Sequence, residues 1–149
     1  MTAKSSCAMG VIALGLTAGC GGGGPVNSPE VFENNALAEI GDIYRLYTEV
    51  HKRPPRSLRD FEPYREGTPN GIGAAARGEL VVLWGAKLND LTEEGTNDSP
   101  CEVLAYFKDA PEKGGLVLMK NRKIRSMTPE EFKAAPKAGT ESPVPKGKR

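Results

Sequence analysis

The sequence predicts an α+β fold in which one long amphipathic helix packs on a small antiparallel sheet of three or four strands. Between Pro29 and His51, apolar residues recur every three or four positions, as in a helix with one buried face. Beyond Gly78 the pattern changes to short, continuous apolar runs rich in β-forming residues, and a short helix follows the last run. Because so small a sheet needs a cover to be stable, the helix is expected to pack on it.

The first helix has clear boundaries. Asn27 or Ser28 can cap its N-terminus, and proline is tolerated at Pro29 in the first turn. Pro54-Pro55 ends it, because the residue before a proline is disfavoured in helical conformation. The predicted buried stripe consists of Ala36, Ile40, Ile43, Tyr47 and Val50, widened by Leu37, Tyr44 and Leu46.

Two short helical segments are expected next. Ser57 is a predicted cap for a turn or two that carries Leu58 and Phe61 back onto the first helix, and Pro63 limits its length. After a loop over residues 66–70, the alanines at 74–76 favour a helical turn that ends at Gly78.

The apolar runs are the predicted strands. Leu80–Trp84 is expected to be a central strand covered on both faces; the other strands are Val103–Phe107, Leu116–Met119 and Ile124–Met127. Asn121 is the residue expected to adopt the positive φ of the last hairpin. Thr128 and Glu131 form a capping box for a short helix that runs to about Ala135.

The N-terminus carries a different kind of signal. Lys4 precedes an apolar run from Cys7 to Leu16, and small residues come just before Cys20. This stretch resembles the lipobox of bacterial lipoprotein precursors, in which Leu is usual where this chain has Thr17. The resemblance implies that the Cys20 thiol is joined to diacylglycerol and that Cys20 becomes the new N-terminus.

This resemblance divides the chain into four parts. Residues 1–19 are a predicted signal peptide, and residues 20–28 are the lipidated cysteine with a glycine-rich tether. Residues 29–135 form the folded domain, and residues 136–149 are expected to be a disordered basic tail. The domain is then expected on the extracytoplasmic side of the cell membrane or the outer membrane, attached through its lipid.

The folded part resembles a second family. The segments HKRPPRSLRDFEPY (51–64), ELVVLWG (79–85) and VLAYFKDAPEKGGLVLMKNRKIRSMTPEEF (103–132) are similar to the type II secretion pseudopilin and type IV pilin group. The similarity covers about Val31 to Ala135. It implies a structural or binding role, such as that of an accessory of a secretion or pilus-like apparatus with an envelope protein partner. The apolar Phe-Thr-Leu-Ile-Glu-like start of pilins is missing, so the resemblance implies a fold rather than a filament.

One long loop gathers oxygen ligands. Residues 89–99 include Asp90, Glu93, Glu94 and Asp98, and calcium takes several carboxylate oxygens in flexible geometry. The major pseudopilins bind calcium in a loop of their domain, so the resemblance supports calcium here. The spacing is not that of an EF-hand, and a solvated acidic loop is the preferred interpretation. A calcium-stabilised pseudopilin-like subunit is therefore one alternative function.

Catalytic residues are scarce. His51 is the only histidine, and Cys101 is the only cysteine outside the predicted signal and lipid site, so an intramolecular disulfide is excluded. A Cys-His enzyme built on these two residues is a second alternative. A helix-capping role for His51 and burial for Cys101 are preferred, and no enzymatic activity is expected.

Other binding functions are disfavoured. With 20 basic and 19 acidic residues there is no field that attracts nucleic acid. Residues 71–76 have the spacing of a dinucleotide fingerprint, but no strand precedes them, so no nucleotide site is expected. Trp84 and Tyr106 could form a stacking platform, although core packing is the preferred interpretation. The tail residues that could contact anionic lipid are Lys137, Lys146, Lys148 and Arg149.

Overall fold

The helix and the sheet predicted from the sequence are both present in a computed structural model of the chain, which describes residues 28–88, 91–92 and 102–141. The helices are α1 (Pro29–His51), a 3₁₀ helix (Leu58–Tyr64), α2 (Pro69–Ala76), α3 (Ala110–Lys113) and α4 (Pro129–Ala134). The strands are β1 (Leu80–Trp84), β2 (Val103–Phe107), β3 (Gly115–Met119), β4 (Ile124–Met127) and β5 (Thr140–Glu141). The α+β fold class is confirmed.

Helix α1 begins where the sequence predicts. The Ser28 hydroxyl accepts a hydrogen bond from the Val31 N–H at 3.3 Å, which satisfies one of the unpaired donors of the first turn. The helix ends at His51, and Lys52 follows with a φ of 55°. The left-handed residue thus reverses the chain before Pro54-Pro55 is reached.

The start of the 3₁₀ helix is capped differently from the prediction. The Ser57 side chain makes no capping hydrogen bond. Instead, the Asp60 carboxylate accepts a hydrogen bond from the Arg56 N–H at 2.7 Å. Pro63 lies inside this helix rather than ending it.

A carboxylate from α1 caps α2. Glu39 accepts hydrogen bonds from the Asn70 side chain at 2.8 Å and from the Gly71 N–H at 2.7 Å. A Cβ at Gly71 would lie 2.7 Å from the Ala36 carbonyl oxygen, so glycine is required for this close approach. These contacts let α2 begin at Pro69, within the predicted loop 66–70.

The sheet has five strands rather than three or four. All pairs are antiparallel, in the order β4-β3-β2-β1-β5. The additional strand comes from the segment expected to be disordered, so that prediction is wrong for residues 136–141. The order of this segment comes mainly from backbone hydrogen bonds and from contacts of the charged side chains of Lys137 and Glu141. The segment therefore has no apolar pattern that would reveal it in the sequence.

Helices cover both faces of the sheet. On one face, α1 places Leu37, Ile40 and Tyr44 in a cluster with Val82 and Leu118. On the other face, α3 and α4 contribute Ala110 and Phe132 to a cluster with Leu83, Val117 and Met119. The prediction of a central β1 strand covered on both faces is thus confirmed. The sequence did not indicate α3, which has four residues and no side-chain cap.

The last hairpin differs in one detail from the prediction. The positive φ, 65°, is at Arg122 rather than at Asn121. The Asn121 side chain instead accepts a hydrogen bond from the Lys123 N–H at 3.1 Å, and this bond to the backbone two residues further on stabilises the turn. The capping box of α4 is confirmed, with Thr128 and Glu131 bonded to each other's backbone N–H groups.

The Tyr44 hydroxyl links α1 to the end of β1 through two hydrogen bonds. It donates to the Leu83 carbonyl at 3.3 Å and accepts from the Ala86 N–H at 2.8 Å, and its side chain is fully buried. Burial raises the pKa of Tyr44 far above its usual value, although the N–H group of Ala86 opposes the shift. Gly85, the residue that follows β1, donates its N–H to the Pro55 carbonyl at 2.9 Å. The end of β1 is therefore held to the C-terminal half of α1.

The C-terminal segment crosses the ends of β1 and β2. Val103 exchanges backbone hydrogen bonds with Pro136 and Ala138, at 2.8 and 2.9 Å. The Lys137 ammonium donates to the carbonyls of Phe132 and Ala135, both at 2.7 Å, and so caps the end of α4. Gly139 passes so close to β1 that an added Cβ would lie 2.3 Å from the Trp84 carbonyl oxygen.

Replacing Tyr44 with phenylalanine is expected to lower the free energy of unfolding by about 1–3 kcal/mol, because the Ala86 N–H loses its acceptor while remaining buried. Urea denaturation of the two proteins measures the difference. The control is Tyr64→Phe, because the Tyr64 hydroxyl has no hydrogen-bond partner among the described residues. Equal losses in both variants would contradict the assigned role of the Tyr44 hydroxyl.

Gly139→Ala is expected to destabilise the protein by about 1–3 kcal/mol, because the new methyl group collides with the backbone of β1. Thermal melting followed by circular dichroism tests this. Gly67→Ala is the matched control, since the nearest atom to its Cβ is the Tyr64 carbonyl oxygen at an ordinary 3.8 Å. If Gly139→Ala melts like the wild type, the C-terminal segment does not lie against β1.

Candidate functional site

Several predicted site residues lie outside the described residues. These are the lipidation site Cys20, the thiol Cys101 and the proposed calcium ligands Asp90, Glu93, Glu94 and Asp98. Lipid attachment, calcium binding and a Cys-His pair therefore stay predictions. Across residues 28–88, 91–92 and 102–141, no three histidine, cysteine or acidic residues come together as metal ligands, and no helix is long and apolar enough to cross a membrane.

Thr92, within the acidic loop, and Glu102, just beyond it, contact the β3–β4 hairpin. The Thr92 carbonyl accepts a hydrogen bond from the Arg122 guanidinium. At the other end of the loop, the Glu102 carboxylate pairs with the Lys120 ammonium at 2.7 Å. The Arg122 guanidinium thus lies next to one residue of the predicted calcium loop, whereas the charge of Lys120 is paired with that of Glu102.

His51 lies at the C-terminal end of α1, as predicted. Its ring packs on Tyr47 with a centroid distance of 4.2 Å, and the Arg53 guanidinium lies over the same Tyr47 ring at 5.1 Å. Arg53 also pairs with Asp60 at 3.7 Å. These contacts show His51 in a surface cluster that joins the end of α1 to the 3₁₀ helix.

Trp84 and Tyr106 do not form a stacking platform. They belong to the two clusters on opposite faces of the sheet. Trp84 packs on Phe61 at 5.1 Å between centroids, and Tyr106 packs on Phe132 at 4.7 Å. Both are core residues, in agreement with the preferred interpretation of the sequence.

The strongest candidate binding surface is a groove between the second half of α1 and the 3₁₀ helix. We call it the distal groove; its volume is about 620 Å³. Helix α1 supplies one wall, and the 3₁₀ helix and the turn before α2 supply the other. The lining residues are Asp42, Ile43, Arg45, Leu46, Pro63, Tyr64, Gly67 and Thr68.

Apolar side chains remain exposed beside this groove. Leu46 is 39% exposed and Val50 is 60% exposed, although both belong to the stripe that was predicted to be buried. That prediction was wrong for these two residues, because neither the sheet nor α2 covers this side of the last turns of α1. With Val31, they are the large apolar residues found exposed in the described part of the chain.

Arg45 gives the distal groove a polar group. One terminal nitrogen of its guanidinium pairs with Glu49 at 3.2 Å, one turn further along α1. Its Nε is buried and, among the described residues, has no hydrogen-bond partner. A buried donor without an acceptor costs free energy, about 1–3 kcal/mol. Arg45 is thus a cation whose hydrogen-bonding capacity the domain does not use fully.

The distal groove is far from the N-terminal end of α1. The chain enters α1 at Ser28 and Pro29, and Arg45 lies about 24 Å further along the helix at 1.5 Å per residue. A domain tethered through its N-terminus therefore presents this groove away from the attachment point.

The sequence did not predict the distal groove. The pattern placed Leu46 and Val50 with the core because helical spacing alone does not show how far a covering layer extends. No local signal separated these two positions from the buried ones. Comparisons with known proteins found no matching family model, no matching curated protein and no matching solved structure.

Proposed function

We propose that this protein is a lipid-anchored binding module of the bacterial envelope, with a structural role and no enzymatic activity. The observation that carries the proposal is the separation of two features along α1. The predicted lipid site and its glycine tether precede the first turn of the helix, whereas the distal groove lies beside its later turns.

The chemistry of the distal groove fits a protein partner. Exposed Leu46 and Val50, the half-buried Tyr64 and the incompletely paired Arg45 combine apolar area with a guanidinium. Aromatic residues and arginine are enriched at the centres of protein–protein interfaces, and arginine pairs well with carboxylates. A partner segment with an apolar residue beside an acidic one would complement this groove.

The partner is an envelope protein under this proposal. The resemblance of residues 31–135 to pilin-like domains supports an accessory role at a secretion or pilus-like apparatus. A short tether at one end and a groove at the other would keep such a partner close to the membrane.

Replacing Cys20 with serine is expected to abolish both membrane attachment and processing, because the hydroxyl cannot form the thioether that carries the acyl chains. Fractionation of cells and mass spectrometry of the purified protein measure both effects. Cys7→Ser is the matched control, since Cys7 lies within the predicted signal peptide. Attachment that survives Cys20→Ser would remove the lipid anchor from the proposal.

A photo-crosslinking side chain at Leu46 is expected to capture a discrete envelope protein in intact cells. The same group at Ser126, an exposed residue on β4, serves as the control position. Arg45→Ala should abolish the Leu46 adduct while the circular dichroism spectrum stays unchanged, because the hydrogen bond of the arginine goes to Glu49 in the same helix and joins no two elements. Identical adducts from Leu46 and Ser126, or none from Leu46, would refute the distal groove as a binding site.

A further inference from the structure

The first turn of α2 contains the only Asn-Gly pair of the sequence, Asn70-Gly71. An asparagine that precedes glycine loses its side-chain amide most readily, because glycine has no Cβ to hinder attack by its own backbone nitrogen. Glycine is required at this position, since a Cβ at Gly71 would lie 2.7 Å from the Ala36 carbonyl oxygen. The close approach of α2 to α1 therefore fixes the glycine that makes Asn70 labile.

The reaction at such a pair is an intramolecular substitution. The backbone nitrogen of Gly71 attacks Cγ of Asn70 and gives up its proton, a C–N bond forms, and the side-chain nitrogen leaves with that proton as ammonia. Water then opens the five-membered ring at either of its two carbonyl carbons, which leaves aspartate or isoaspartate at position 70. Water is the co-reactant, and no atom is oxidised or reduced.

Glu39 binds both nitrogens that take part in this reaction. One oxygen of its carboxylate accepts a hydrogen bond from the Asn70 side-chain nitrogen at 2.8 Å, and the other accepts one from the Gly71 N–H at 2.7 Å. Hydrogen bonds to an ionised acceptor are stronger than neutral ones. The Gly71 nitrogen cannot turn toward Cγ of Asn70 without breaking its bond to a carboxylate on another helix.

The conformation and the packing of α2 oppose the reaction as well. Ring closure requires the backbone of Asn70 to leave its helical ψ. The helix is held in place by Ile72 and Ala74, which are fully buried, and Gly71 is buried with them. The reaction therefore needs the first turn of α2 to separate from α1, as in a local opening of the fold.

From these features we infer that Asn70 is a deamidation site that Glu39 keeps unreactive while α2 is closed on α1. A transient opening of the first turn exposes the pair, and the reaction makes that opening permanent. Aspartate at position 70 lacks the donor and places a second negative charge beside Glu39, and isoaspartate also adds a methylene group to the main chain. The inference depends neither on the lipid anchor nor on the ligand of the distal groove.

Incubation of the folded full-length protein in water labelled with heavy oxygen, followed by peptide mass spectrometry, measures conversion at Asn70. The label enters when the ring opens, so it separates conversion during incubation from conversion during digestion in ordinary water. The wild-type protein is expected to convert more slowly when folded than when unfolded in urea. Glu39→Ala is expected to convert about 10- to 100-fold faster than the folded wild type, because the open form becomes more populated.

Two variants separate protection by Glu39 from the effect of lower stability in general. Glu49→Ala removes a different carboxylate from α1, one that bonds Arg45 in the same helix, and should leave the rate unchanged. Tyr44→Phe weakens the contact between α1 and β1 but keeps Glu39 in place. It should therefore speed conversion much less than Glu39→Ala, for a similar loss of unfolding free energy measured in urea.

Asn70→Asp reproduces one product and tests its effect on α2. Hydrogen exchange of the amides of residues 72–76 is expected to become about tenfold faster, because a hydrogen bond to a charged group outweighs the favourable effect of an acid on the helix dipole. Asn34→Asp, at an exposed position of α1, is the matched control and should leave this exchange unchanged. Unchanged exchange in Asn70→Asp would show that conversion does not release α2.

Several rates would overturn the inference. Equal rates in folded and unfolded wild-type protein would show that α2 gives no protection. A rate in Glu39→Ala no higher than that of the wild type would remove Glu39 from this role, and a lower rate would make its carboxylate a catalyst of ring closure. If Tyr44→Phe speeds conversion as much as Glu39→Ala, Asn70 reacts only from the globally unfolded chain.

Discussion

The packing of α1 against one face of the sheet is the constraint on which the rest of the structure depends. Leu37, Ile40 and Tyr44 are fully buried there, and each such apolar side chain contributes roughly 1.5–3 kcal/mol on burial. The helix is the longest element, so its contacts reach from the start of β1 near Phe32 to the end of β1 at Leu83. Its direction therefore fixes the direction of the sheet relative to the point where the chain enters the domain.

That direction organises the surface into two ends. Where α1 begins, the half-buried Phe32 and Phe107 lie beside Glu33, Glu79 and Asp109. At the other end, the last turns of α1 extend past their cover and leave Leu46 and Val50 exposed beside Arg45. The two ends thus differ in charge and in apolar exposure, which suits them to different ligands. A single rigid helix keeps the two ends apart.

Polar contacts between elements complete the fold at the places where apolar packing is incomplete. Glu39 caps α2 from a different helix, Tyr44 satisfies two backbone groups at the end of β1, and Lys137 caps α4 from beyond its end. Burial lowers the pKa of Lys137, while the charge of Glu141 opposes this shift. Each of these side chains bonds backbone groups at the end of another element, and each therefore ties two segments together.

Local sequence signals were sufficient for the elements with strong periodicity or strong caps. The helical spacing from Pro29 to His51, the β-rich runs and the capping box of Thr128 and Glu131 act over a few residues, and each fixed an element in nearly its observed position. The α+β class followed from their order. The lipid site at Cys20 is a separate prediction, implied by the resemblance of the N-terminal stretch to a lipobox.

Only the tertiary structure decided how far the sheet and α2 cover α1, and which residues distant in the chain contact one another. The exposure of Leu46 and Val50 depends on the extent of the sheet and α2, and helical periodicity carries no information about it. Strand β5 forms because Gly139 lets two backbones approach and because Tyr106 donates a hydrogen bond to Glu141, contacts between residues far apart in the chain. The distal groove arises from the same long-range packing. The sequence alone therefore determined the elements and their order, whereas the groove required the assembled fold.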